Sequence, residues 1–218
     1  MTKKIALSLD DFTIVHNRLD LLLKLKNHFP DFKVSLFTIP MDTKMDYGPY
    51  LERGEALQEV KKHLDWIQLI PHGLLHDSSS EMVRESYDSF KNTVIPSIKK
   101  AFEEDGLPYE HGFKAPHWRW SEGVAHALDD LGFWGAVRPE KGKMLRTKKF
   151  YEHTHGLDEP FWESELETLK LHGHIYGTKN GLGLCFNNLL KLPRSVEWHF
   201  VTDFLEEQDD PIRNSGDQ

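Results

Sequence analysis

Two adjacent carboxylates, Asp10 and Asp11, close the apolar run Ile5-Ala6-Leu7-Ser8-Leu9. A strand that stays dry cannot end in two acids without a compensating charge, because an isolated buried carboxylate is very costly. A bound cation is the natural compensation. Further along, His72 and His76 stand in His-x-x-x-His spacing, which brings two imidazoles to one side of a helical turn. Position 73 is Gly rather than Glu, so the pair carries no general base of its own, unlike the zinc-protease signature. Two imidazoles and one aspartate leave coordination positions open for water and substrate, the condition for a hydrolytic rather than a structural metal site. Among thirteen histidines some i, i+4 pair arises by chance, and two aspartates alone suit a turn or helix cap. The weight lies in both groups following apolar strands directly.

A single cysteine, Cys185, excludes an intrachain disulfide and a cysteine-rich zinc site, so any metal is held by His and carboxylate. The thiol reads as a small buried hydrophobe. Zinc fits such a set, and cobalt, nickel or manganese can occupy it. With 218 residues, 39% hydrophobic and 28% charged, the chain reads as a soluble globular protein large enough for one substantial core. A net charge of −8 disfavours nonspecific binding to nucleic acid or an acidic membrane surface. Neutral or cationic small molecules, or sugars, are easier partners. No apolar run of about 18 residues is long enough to span a bilayer. Met1-Thr2-Lys3-Lys4 leads straight into the first strand rather than into a signal peptide's apolar segment, so the expected location is cytoplasmic.

The elements that must position these residues alternate. Strands are expected over Ile5 to Leu9, Lys33 to Ile39, Trp66 to Ile70, His111 to Ala115, Phe133 to Val137 and Thr168 to His174, with a last one over Val196 to Phe204. Helical spacing covers Asn17 to Phe29 and Leu51 to Leu64. A long helix follows from Glu81 to Glu104, with Ser78 and Glu81 as a capping box and Pro96 kinking or dividing it, and Ser121 caps a short helix ending at Gly132. Arg138 to Glu165 shows no sustained period. One domain over residues 1–205 is expected, with residues 206–218 a polar, frayed tail. Strands alternating with helices imply an α/β fold with a mainly parallel sheet, open or barrel-like. Asp10-Asp11, His72, the Pro116 loop and His172 or His174 then fall at the C-terminal ends of strands, where such folds build active sites.

Taken together, Ser8-Leu9-Asp10-Asp11-Phe12, His72-Gly73-Leu74-Leu75-His76, Phe113-Lys114-Ala115-Pro116-His117-Trp118 and Leu171-His172-Gly173-His174 occur in the order and approximate spacing of a known family. Over roughly the first 175 residues the chain resembles the polysaccharide deacetylases, the NodB-like superfamily of carbohydrate esterase family 4. The resemblance implies a distorted, seven-stranded (β/α) barrel and one divalent metal ion that assists removal of an N-acetyl or O-acetyl group from a sugar. It makes Asp10 the base that deprotonates a metal-bound water and assigns Asp11, His72 and His76 to the metal. Lys114, Pro116, His117 and Trp118 fall in the substrate-binding or base-orienting segment. Two residues depart from the family pattern: Phe12 replaces a glycine, and Lys114 replaces an arginine, supplying charge without a planar two-pronged donor.

The family's late histidine, which protonates the leaving amine, has two counterparts here. His172 and His174 share strand parity, and His174 is the preferred acid with His172 in support. Trp118 is the aromatic residue best suited to stack on a sugar ring. His153, His155 and His199 with Asp203 are assigned surface or supporting roles. The leading expectation is a metal-dependent deacetylase acting on an N-acetylated sugar or small glycan. A related C–N hydrolase of a non-sugar amide, or an inactive carbohydrate-binding protein on the same scaffold, are the alternatives.

Overall fold

The computed structural model describes residues 2–41, 51–139 and 145–208. In chain order these form β1 (Lys4–Phe12), α1 (Leu19–His28), β2 (Val34–Thr38), α2 (Arg53–Lys61), β3 (Ile67–Pro71), α3 (Tyr87–Ser89), a π-helical turn (Phe90–Val94) and α4 (Ile95–Asp105). There follow β4 (Gly112–Phe113), α5 (Glu122–Asp130), β5 (Trp134–Val137), β6 (Lys149–Glu152), β7 (His155–Gly156), β8 (Thr168–His174), α6 (Leu182–Leu189), β9 (Glu197–His199) and β10 (Glu206–Glu207). Their contacts gather into two units, residues 2–38, 51–69 and 153–203 in the first and 39–41, 70–139, 145–152 and 204–208 in the second.

The first unit is built around β1. Ile5, Ala6, Leu7 and Leu9 are wholly buried, and each of the larger three contributes about 1.5–3 kcal/mol by leaving water. Both edges of β1 are paired in parallel. β8 runs along Lys4 to Asp10 on one side, while β9 at Lys4 to Ala6 and β2 from Ser8 onward share the other. The strand order is β3-β2-β1-β8-β7. A strand buried on both faces reads as a continuous apolar run, which is why β1 was visible in the sequence. The expected α/β class with a parallel central sheet is observed, and among the described residues the ladders fall into two sheets.

In the second unit β4, β5 and β6 pair in parallel, and β10 closes the edge antiparallel to β6. Glu206 and Glu207, expected to begin a frayed tail, pair instead with Phe150 and Lys149, because the open edge of β6 offers backbone partners. The rest of that tail, 209–218, lies outside the described residues. Val196 to Phe204 gives only the three-residue β9 and a 3₁₀ turn.

The expected long helix from Glu81 also differs. It starts at Ser86, whose side chain accepts from the Ser89 N–H, and it passes through the π turn before α4. Pro96 lies in the first turn of α4. The long helix is thus divided at this proline, which stands where a missing N–H is tolerated, at a helix start. Between Arg138 and Glu165, where no period was legible, β6 and β7 have four and two residues. α6 was not foreseen either.

Ser121 caps α5 by accepting from the Val124 N–H at 3.1 Å. Ser121→Ala should therefore cost about 1 kcal/mol in chemical denaturation. Ser78→Ala, at the cap that the sequence proposed, should stay within about 0.5 kcal/mol of wild type.

Candidate active site

β1 does not end as a regular strand. Its register with β2 shifts between Leu9 and Phe12, and Asp11 has φ +63°, a left-handed conformation that Asp tolerates better than most side chains. A bulge of this kind re-aims side chains at a strand end. Adjacent carboxylates that would point to opposite faces of a flat strand are thereby freed from strict alternation. Both are almost wholly buried.

β8 lies beside β1 with Ser8 opposite His172 and Asp10 opposite His174. In a parallel ladder such partners share a face, so the alternation along each strand stacks Ser8, Asp10, His172 and His174 together. Nε2 of His172 is 3.4 Å and Nε2 of His174 is 3.6 Å from Asp10 Oδ2. Ser8 Oγ is 3.0 Å from His172 Nδ1 and donates to the Leu171 carbonyl at 3.1 Å. Between the two histidines only glycine fits. A Cβ on Gly173 would stand 2.5 Å from Leu157 Cδ1 and 2.8 Å from the Asn180 carbonyl. His172 is buried and His174 is 30% exposed.

His174 opens into a cavity of about 520 Å³ that Asp11, Tyr176 and Gly177 to Asn180 also line. The Tyr176 hydroxyl donates to the Asn17 carbonyl at 2.9 Å. Burial pushes its pKa up, so it stays a neutral polar wall at physiological pH.

The second unit holds the remaining candidates. His72 follows β3, and its Nδ1 donates to the Lys114 carbonyl at 3.1 Å, leaving Nε2 with the lone pair a metal needs. His76 has its ring centroid 4.8 Å from that of His72, but the pair is not on a helical turn as the spacing implied. Gly73 and His76 both adopt positive φ, and a Cβ on Gly73 would meet Pro116 Cγ at 2.7 Å. The loop is held by Glu81, whose carboxylate accepts from the Leu74 and Leu75 N–H groups at 2.7 and 3.1 Å. Lys114 is 1% exposed, with Nζ 3.7 Å from the centre of the Trp118 ring. The exposed His117 ring lies 5.5 Å from that of His76. Asp and His groups with the donor chemistry for a metal ion are thus present among the described residues.

Asp11, His76, His117 and Trp118 are the non-glycine residues with positive φ among the described residues. Each was a sequence-derived site candidate. Non-glycine residues in this region cost of order 1–3 kcal/mol and cluster at functional sites.

Sequence reasoning missed Ser8 and Glu81 as supports and undervalued His153, whose ring centroid is 4.9 Å from that of His172. A signal existed for Ser8: it is the lone hydroxyl in an apolar run, two residues before Asp10 and on its parity. No comparable signal marks Glu81, whose partners are backbone groups. His199 pairs with Asp203 at 3.1 Å and His155 with Thr154 at 2.9 Å.

The chain matches no protein-family model and no curated protein sequence. Solved structures do match. The CE4 domain of a multidomain xylanase from the hindgut metagenome of Trinervitermes trinervoides superposes with TM-score 0.55 at 12% identity, covering 93% of this chain and 89% of that one. A family 4 acetyl xylan esterase from Clostridium thermocellum, in complex with a cobalt ion, gives 0.55 at 11%, over 92% and 89%. A CE4 family pseudoenzyme from Bacillus anthracis gives 0.58 at 15%, over 93% of this chain and 65% of that one. At these identities the likeness is one of fold.

The Glu81 carboxylate anchors the loop that carries His76 through two charge-assisted bonds, each worth about 1.5–3 kcal/mol. In Glu81→Ala the Leu74 and Leu75 amides should lose hydrogen-exchange protection while those of β1 keep theirs. Unchanged protection at both amides would show the loop to be held by other contacts.

Proposed function

We propose that this chain, which has the carbohydrate esterase family 4 fold, is a metal-dependent hydrolase that removes an acetyl group from the nitrogen of a sugar or small glycan. The observation that carries the reading is the Asp10 carboxylate beside His172 and His174 at the ends of paired parallel strands, with His174 on a cavity wall. A base and an acid must sit within reach of one scissile bond, and a carboxylate beside an imidazole that reaches a cavity supplies both.

Asp11, His72 and His76 hold one divalent metal ion, Zn²⁺ by ligand type, with Co²⁺, Ni²⁺ or Mn²⁺ able to substitute. When bound, the metal lowers the pKa of its water and polarises the acyl oxygen. Support for the donor set comes from His72, whose Nδ1 is engaged by the Lys114 carbonyl, so that Nε2 is the coordinating atom. Asp10 accepts the proton of the attacking water. His174 donates a proton to the leaving amine, and His172 orients Asp10 from its buried side. Lys114, Pro116, His117 and Trp118 shape the approach of the substrate, with Trp118 offering an aromatic face. A small-molecule or oligosaccharide substrate, no nucleic acid and no membrane form the partner set. None of the described helices is long and apolar enough to cross a membrane.

A binding protein without turnover is the second reading. It is favoured by Lys114, which is stacked on Trp118 and offers no planar fork to a base, and by the same fold in a pseudoenzyme.

The deciding experiment pairs elemental analysis with acetate release from N-acetylated sugars. Wild type should carry metal and release acetate. Asp10→Asn should keep the metal held by Asp11, His72 and His76 and lose about 10²–10⁴-fold in rate, and His72→Ala with His76→Ala should lose that metal. A wild type that binds sugar without turnover, and an Asp10→Asn variant of equal affinity, would establish the binding reading.

A further inference from the structure

We propose that Asp10, His172 and His174 form a second metal site, in which Asp10 Oδ2 and the two Nε2 atoms bind a divalent transition ion such as Co²⁺ or Zn²⁺. The three residues each offer a ligand atom, and these atoms all lie within 4.8 Å of one another. The separations of 3.4 and 3.6 Å between each Nε2 and the shared carboxylate oxygen exceed the about 2.7–2.9 Å of a charged N–H···O bond. They match instead the edge of a coordination tetrahedron, about 3.3–3.6 Å when metal–ligand bonds are about 2.0–2.2 Å.

Ser8 supplies the second argument. The Leu171 carbonyl can only accept, so the single Ser8 hydroxyl proton is spent on it. Ser8 Oγ is then an acceptor toward His172, and Nδ1 carries the hydrogen of that 3.0 Å bond. With Nδ1 so engaged, Nε2 is the nitrogen that faces the Asp10 carboxylate. Ligating histidines are fixed in this way, with the outer nitrogen donating to a neighbour and the inner one coordinating.

Partly exposed His174 leaves a fourth position for water from the cavity side. Two imidazoles and one carboxylate select zinc-like ions over Mg²⁺ and Ca²⁺, which prefer oxygen ligands. An ion here would occupy the base and the acid of the reaction proposed above, so excess metal should inhibit. That consequence rests on the proposed function, whereas the binding does not.

The test titrates metal-free full-length protein with Co²⁺, reading bound cobalt by elemental analysis and its geometry by visible absorption, with circular dichroism to confirm folding. Wild type should take up about two equivalents. His76→Ala should keep about one, with the intense bands of a tetrahedral ion, and adding His174→Ala, at a partly exposed position, should abolish it. His172→Gln should act in the same way. Cobalt in His76→Ala that survives both further substitutions, or no cobalt in His76→Ala at all, would overturn the site and leave a proton as the group between His172 and Asp10. Cobalt removed by His174→Ala but indifferent to His76→Ala, at one equivalent in wild type, would sink the first site and leave this one standing. Two bound ions with undiminished acetate release would refute the roles given to Asp10 and His174, not the site.

Discussion

A carboxylate at the end of a dry strand constrains everything around it. Asp10 continues β1, whose preceding residues from Ile5 onward are buried on both faces, and its charge cannot be left to water. The fold answers with β8, which runs parallel to β1 in a register that puts His174 opposite Asp10 and His172 opposite Ser8. A slip of one residue would turn both imidazoles to the other face. That face is filled at Gly173 by Leu157 and the Asn180 carbonyl, so register, glycine and charge compensation are one constraint.

The same logic of support recurs in the second unit with backbone partners. His72 is oriented by a main-chain carbonyl and the loop of His76 by a carboxylate that gathers two main-chain N–H groups. Loops that carry functional side chains need such anchors because they lack a ladder of their own. The left-handed residues at His76, His117 and Trp118 are sustained by that anchoring and by the close approach of Gly73 to Pro116.

Much of this was legible in the sequence because it rests on alternation between apolar runs and the polar residues that end them. β1, β2, β3, β5 and β8 and the candidates at their C-terminal ends could be read in that way. The sequence concealed features that depend on tertiary partners. His-x-x-x-His spacing reads as helical, yet Gly73 in a left-handed conformation places the pair on a loop. The bulge that re-aims Asp11 has no local signature, since Asp10-Asp11-Phe12 is compatible with a turn. Ser78 and Glu81 have capping-box spacing, but Glu81 is engaged by the loop before it, and Ser86 starts the helix. β6 and β7 are too short to establish a period of two.

The pairing of β1 with β8 also has a temporal side. Ser8 and His172 are separated by 164 residues along the chain, so the charge of Asp10 is compensated only after the long stretch between them has been made. Long-range parallel pairing raises contact order and slows folding, because loop closure must precede the contacts that reward it. On the ribosome, β1 therefore emerges as an apolar strand with an open edge and waits for its partner. A chaperone that shields such edges during synthesis would find its target in this segment.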